Sequence, residues 1–92
     1  MKTVRIRCLG RVQGVFFRKY TQDKARELNI KGFVKNEADG SVLIFACGED
    51  SRVDRLIEWC HEGPPSARVD NVVNERLGEK EITGYEGFEI VH

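Results

Sequence analysis

Apolar residues recur along this chain with two different periods, and the order in which those periods alternate is the tightest constraint on its fold. In "TVRIRCL" at 3–9, Val4, Ile6 and Cys8 alternate with Arg5 and Arg7, the two-residue period of a half-buried strand. From Phe17 to Leu28 the period lengthens. Phe17, Thr21, Ala25 and Leu28 share one helical face, Lys19, Asp23, Lys24, Arg26 and Glu27 can face water, and Asn29 suits a left-handed cap. "IKGFVKN" at 30–36 and "SVLIFAC" at 41–47 read as strands, and Asp39-Gly40 between them predicts a hairpin. Val53, Leu56, Ile57 and Cys60 then mark a second helix, capped by Asp50 or Ser51 and stopped by Gly63-Pro64-Pro65. Ala67 to Glu75 is an irregular strand, 77–86 a loop, and "GFEIV" at 87–91 alternates again.

The order strand, helix, strand, strand, helix, strand predicts an α+β fold. It matches a ferredoxin-like two-layer sandwich (βαββαβ), an antiparallel sheet with both helices on one face and a short extra C-terminal strand. At 92 residues the expectation is a single domain over 1–92. "MKTVRIRCLG" lacks the apolar core of a signal peptide, and no apolar run approaches a membrane span, so a cytoplasmic protein without membrane partners is expected. Fifteen basic and fifteen acidic side chains balance, which argues against nucleic acid as a partner and leaves room for a small anion. The mixed-charge surface makes a monomer the expectation. Cys8, Cys47 and Cys60 form no close pair. Cys8 and Cys60 fall on apolar positions as inert core thiols, while Cys47 leaves room for one bridge.

Gly10 to Phe16 connect the first strand to the first helix, where several amides lack intrahelical partners and the helix dipole favours anions. Gly14 lets neighbouring N–H groups converge on one point, and Arg18 in the first helical turn can bring its planar fork to the same place. A plain turn followed by a solvated arginine fits the same residues, because neither established glycine-rich phosphate motif is present.

Residues 10–18, "GRVQGVFFR", resemble the acylphosphatase signature G-x-V-Q-G-V-x-F-R, and "GFVKNEADGSV" at 32–42 resembles that family's second signature. The resemblance extends to the element order, to "GPPSARVD" at 63–70 and to the closing "GFEIV", and so spans essentially the whole chain. Position 16 is variable in that family. The resemblance implies hydrolysis of the carboxyl–phosphate anhydride of a small-molecule acyl phosphate, giving a carboxylate and inorganic phosphate. It implies that Arg18 binds the phosphate and that Asn36 positions the attacking water. The backbone amides of Gln13, Gly14, Val15, Phe16, Phe17 and Arg18 would form a cradle that also accepts inorganic phosphate or sulfate.

Phosphoryl transfer to water needs fixed donors and a guanidinium more than proton transfer, since a carboxylate already leaves well. No cofactor is expected, and no carboxylate cluster suggests a metal. His61 and His92 read as structural or neutral, with His92 prone to fray. Two other readings compete. One is a non-catalytic phosphate-binding module. The other is an RNA-binding module of the same element order, since "KGFVKN" resembles the start of an RNP1 motif.

Overall fold

The computed structural model describes residues 1–78 and 85–92. Its elements are β1 (Lys2–Arg11), α1 (Phe17–Glu27), β2 (Lys31–Asn36), β3 (Val42–Gly48), α2 (Asp50–Glu62), β4 (Arg68–Leu77) and β5 (Phe88–Val91). The predicted α+β, ferredoxin-like order is borne out. Of the loop expected over 77–86, residues 79–84 lie outside the described residues.

The five strands run in the order β4-β1-β3-β2-β5. The first four pair antiparallel, while β5 adds parallel to β2 and makes the sheet mixed. Register explains the core. Ile6, Ile44, Val34 and Ile90 stand in one row across β1, β3, β2 and β5, and the first three are fully buried. Alternation sends their neighbours Arg5, Phe45, Phe33 and Glu89 to the other side. Phe17, Ala25 and Leu28 of the first helical stretch and Val53, Leu56 and Cys60 of α2 close over the buried row.

Local boundaries follow from backbone geometry. Asn29 adopts φ 56°, and the Ile30 amide donates to the Ala25 carbonyl at 2.8 Å, so α1 ends in the left-handed turn its sequence suggested. The cap of α2 is Glu49 rather than Asp50 or Ser51. Its carbonyl accepts from the Arg52 and Val53 amides, both at 3.0 Å, and Asp50 enters the first turn, where its charge suits the helix dipole.

The first strand also runs two residues further than expected, to Arg11. Its pairing with β4 shifts register between Leu9 and Gly10, and a Cβ on Gly10 would lie 2.3 Å from the Arg68 carbonyl oxygen. Gly10 therefore serves a bulge inside the sheet, and the strand-to-helix loop is only Val12 to Phe16.

Candidate active site

That five-residue loop is fixed from beneath. Val12 and Val15 are 1% and 6% exposed and belong to the core, so the loop is pinned by apolar burial of roughly 1.5–3 kcal/mol per side chain. Between and beyond these anchors, Gly14 (φ 74°) and Phe16 (φ 62°) adopt left-handed backbone and turn the chain back on itself into α1. Phe16 is the N-cap, and no side chain caps the helix. The first amide to find a backbone partner is that of Tyr20, which donates to the Phe16 carbonyl at 3.1 Å. Among the described residues, none of the amides from Gln13 to Lys19 donates to a backbone carbonyl or a side chain. Orphan N–H groups at a helix N-terminus form an anion site with no further device needed.

Arg18 stands in the first turn of α1, half-buried, beside a cleft of about 300 Å³. Its Nη1 donates to the Val91 carbonyl at 3.5 Å and lies 3.1 Å from His92 Nδ1, which must accept because a guanidinium only donates. Among the described residues Nε and Nη2 have no protein partner, so one side of the planar fork is held and the other is free for a bidentate contact.

Asn36, the last residue of β2, lines the same cleft. A side chain from the loop ties this hairpin in place. Gln13 Nε2 donates to the carbonyls of Glu37 and Ser41, each at 2.8 Å. The hairpin turn has its own brace. Asp39 Oδ1 accepts from the Ser41 hydroxyl at 2.6 Å and from the Ser41 amide at 2.9 Å. Those two bonds, the hydroxyl's foremost, together with the charge of Arg7, hold the Asp39 carboxyl below the usual carboxylate range. Arg7 pairs with Asp39 at 3.3 Å and Lys35 with Glu37 at 3.8 Å, and no Asp or Glu is among the described residues lining the cleft.

The structure thus brings Gly14, Phe16, Phe17, Arg18 and Asn36 of the expected site residues to one cleft. Gln13 and Val15 do not line it: the Gln13 side chain faces the hairpin and the Val15 side chain the core. Lys19, Ile90 and His92 line it as well, and sequence reasoning missed them. His92 Nδ1 lies 3.1 Å from Arg18 Nη1. The pairing of β5 with β2 carries it to Arg18, and the only signal for this was the alternation of "GFEIV" just before it. Among the described residues no three His, Cys, Asp or Glu side chains gather at metal-holding spacing.

Comparison with known proteins gives a consistent picture. A family profile described as Acylphosphatase matches residues 4–90. The chain is 48% identical over 89 residues to an acylphosphatase of Rubrobacter xylanophilus, covering 97% of this chain and 79% of that protein. Its fold is similar to the crystal structure of the acylphosphatase from Bacillus subtilis, with a TM-score of 0.93, 34% identity and 100% coverage of both chains. It is also similar to part of full-length HypF in its phosphate- and nucleotide-bound form. There the TM-score is 0.83 and identity 28%, over 99% of this chain but 12% of that one.

Proposed function

The chain belongs to the acylphosphatase family, and from that premise we propose that it hydrolyses acyl phosphates with Arg18 and the loop amides holding the phosphoryl group and Asn36 orienting water. The observation that carries the reading is the meeting, at one cleft, of a helix N-terminus with unpartnered amides, a half-held guanidinium and a side-chain amide.

The substrate phosphoryl group sits over the start of α1. The loop amides and the free side of the Arg18 fork donate to its non-bridging oxygens, where charge gathers in the transition state. A water held by the Asn36 amide attacks phosphorus in line with the anhydride oxygen. The new P–O bond forms as the bond to the acyl oxygen breaks, and the carboxylate leaves with the bonding electrons. The water proton passes to a phosphoryl oxygen or to bulk water. Asn36 cannot accept it, and Glu37 and Asp39 are engaged by Lys35, Arg7 and Ser41. The charge stabilisation comes from fixed donors already on the protein, so the reaction proceeds without a metal or cofactor.

The enzyme is a cytoplasmic monomer whose residues 1–92 unfold as one domain. Three free thiols suit a reducing compartment. The rival RNA-binding reading is weakened by the other face of the sheet. Phe33 and Phe45 do stack there with ring centroids 4.7 Å apart, but Arg5 is paired with Glu75 and Arg7 with Asp39.

The test is hydrolysis of benzoyl phosphate, with inhibition by inorganic phosphate, in wild type, Arg18→Ala and Asn36→Ala. Arg18→Ala is expected to lose about 10³-fold or more in turnover, and phosphate inhibition with it. Asn36→Ala loses turnover and keeps phosphate inhibition. Turnover in wild type stays nearly flat from about pH 5.5 to 8 and is insensitive to chelator. Undiminished turnover in either variant contradicts the assigned role, as does a steep pH dependence within that range that vanishes in His92→Ala.

A further inference from the structure

Two adjacent phenylalanines in the loop meet opposite fates. Phe17 is 1% exposed and packs into the core, with its ring centroid 5.7 Å from that of Trp59. Phe16 is 76% exposed, the most exposed of the large apolar side chains among the described residues, and it lines the cleft. Its backbone lies at φ 62°, a region bulky residues avoid, and its own side chain gains no core packing in return. Gly14, two residues earlier, occupies the same region without strain. The left-handed turn is what aims the Phe16 ring away from the core and over the rim of the cleft.

The cleft has two kinds of wall. Arg18, Asn36 and His92 supply polar atoms, while Phe16, Val12 and Ile90 are apolar. A phosphoryl group alone does not need the apolar wall. Its oxygens are met by amides and the guanidinium, and a cleft of about 300 Å³ has room for more. The remainder of an acyl phosphate is its acyl group, joined through one bridging oxygen and therefore held within reach of the rim.

We propose that Phe16 sets the acyl-group preference of this site, its exposed ring forming a platform that favours aromatic or extended apolar acyl groups over acetyl. This rests on the reading above that the cleft takes acyl phosphates. An aromatic acyl ring gains an offset or edge-on contact with Phe16 and leaves water as it does so. An acetyl group is too short to cover the ring.

The experiment measures kcat/KM for acetyl, butyryl and benzoyl phosphate with wild type, Phe16→Asn and Phe16→Leu. Asparagine tolerates left-handed backbone, so the turn survives while the platform is removed. In Phe16→Asn the benzoyl-to-acetyl ratio of kcat/KM is expected to fall about 3- to 10-fold, through the KM for benzoyl phosphate. Phe16→Leu keeps the butyryl preference and loses part of the benzoyl preference. An unchanged ratio in Phe16→Asn overturns the proposal. A parallel fall for all three substrates also overturns it, because residue 16 would then act through loop geometry. Neither result bears on Arg18, whose replacement tests the underlying activity separately.

Discussion

Replacing Gln13 with alanine tests whether the loop before α1 and the hairpin that carries Asn36 are one mechanical unit. The Gln13 side chain is the direct link between them, with Nε2 donating 2.8 Å to the Glu37 carbonyl and 2.8 Å to that of Ser41. Each bond is partly buried and contributes on the order of 0.5–1.5 kcal/mol net. Neither carbonyl is orphaned by the truncation, because Glu37 still accepts from the Gly40 amide at 3.1 Å and Ser41 from the Glu37 amide at 2.8 Å. No desolvation penalty is added, and the loss should stay near 1–2 kcal/mol. For a domain of this size that lowers Tm by roughly 5–15 °C. The kinetic effect should be larger than the thermal one. Untied, the hairpin end carrying Asn36 drifts relative to the loop, and a misplacement of about 1 Å can cost 10²-fold in rate. Thermal unfolding by circular dichroism and benzoyl phosphate turnover measure the two effects. Gln13→Glu sharpens the test, since a carboxylate of the same shape can only accept and would face two carbonyls. It should be worse than alanine on both counts. The reasoning fails if Gln13→Ala leaves Tm and turnover at wild-type values, or if Gln13→Glu proves the milder change.

Three further outcomes follow from the packing and charge of the fold. A Cβ on Gly32 (φ 142°) would lie 1.9 Å from the Phe45 carbonyl oxygen, whereas one on Gly14 (φ 74°) meets nothing within 4 Å. Urea denaturation should therefore show Gly32→Ala losing about 2–4 kcal/mol and Gly14→Ala only about 1–2, and the reverse order would refute the packing argument. Because its bonds from Ser41 and the charge of Arg7 depress the Asp39 carboxyl, its stabilising contribution is present above the unfolded value of about 4 and lost as pH falls through the lower folded value. The stability gap between wild type and Asp39→Ala should accordingly be open at pH 7 and closed well below pH 4; a gap persisting in strong acid contradicts this. Cys8 and Cys60 are fully buried, and contact with the Cys8 thiol together with burial pushes the Cys60 thiol well above its ordinary value, while Cys47 is half-buried beside Thr3 Oγ1 at 3.3 Å. A disulfide reagent should modify Cys47 alone in the native protein and all three in denaturant, and rapid native labelling of Cys60 would count against the core assignment.

How much of this was legible in the sequence depended on the range of the interaction involved. The alternation of Val4, Ile6 and Cys8, the helical spacing of Phe17, Thr21 and Ala25, and the Asp39-Gly40 turn are local signals. All three gave the right elements. Gly10 misled because glycine announces conformational freedom without saying who uses it. Here the user is the backbone of β4, nearly sixty residues away. The Glu49 cap went unseen because its carbonyl, and not its side chain, does the capping. In the site, Arg18 and Asn36 were readable from the two signatures. His92 and Ile90 were not, because nothing local says that "GFEIV" lies parallel to β2. Only the sheet order β3-β2-β5 brings that strand to the Arg18 side chain.

The arrangement of the loop explains why so few side chains suffice for the proposed chemistry. An anion site built from amides works only if those amides stay pointed at empty space without collapsing onto their own carbonyls, and left-handed residues cost about 1–2 kcal/mol each when they are not glycine. Here Gly14 removes that cost at one of the two left-handed positions, and burial of Val12 and Val15 offsets it at Phe16. The same two valines anchor the loop by burial, while its N–H groups from Gln13 onward stay without protein acceptors among the described residues. Arg18 is treated likewise: Val91 and His92 take Nη1 and fix the plane of the guanidinium, so little rotamer entropy remains to be lost when a phosphoryl group binds. Organisation completed during folding need not be repeated at each turnover, and that is the condition under which fixed dipoles, with no resident base, stabilise a transition state better than water does.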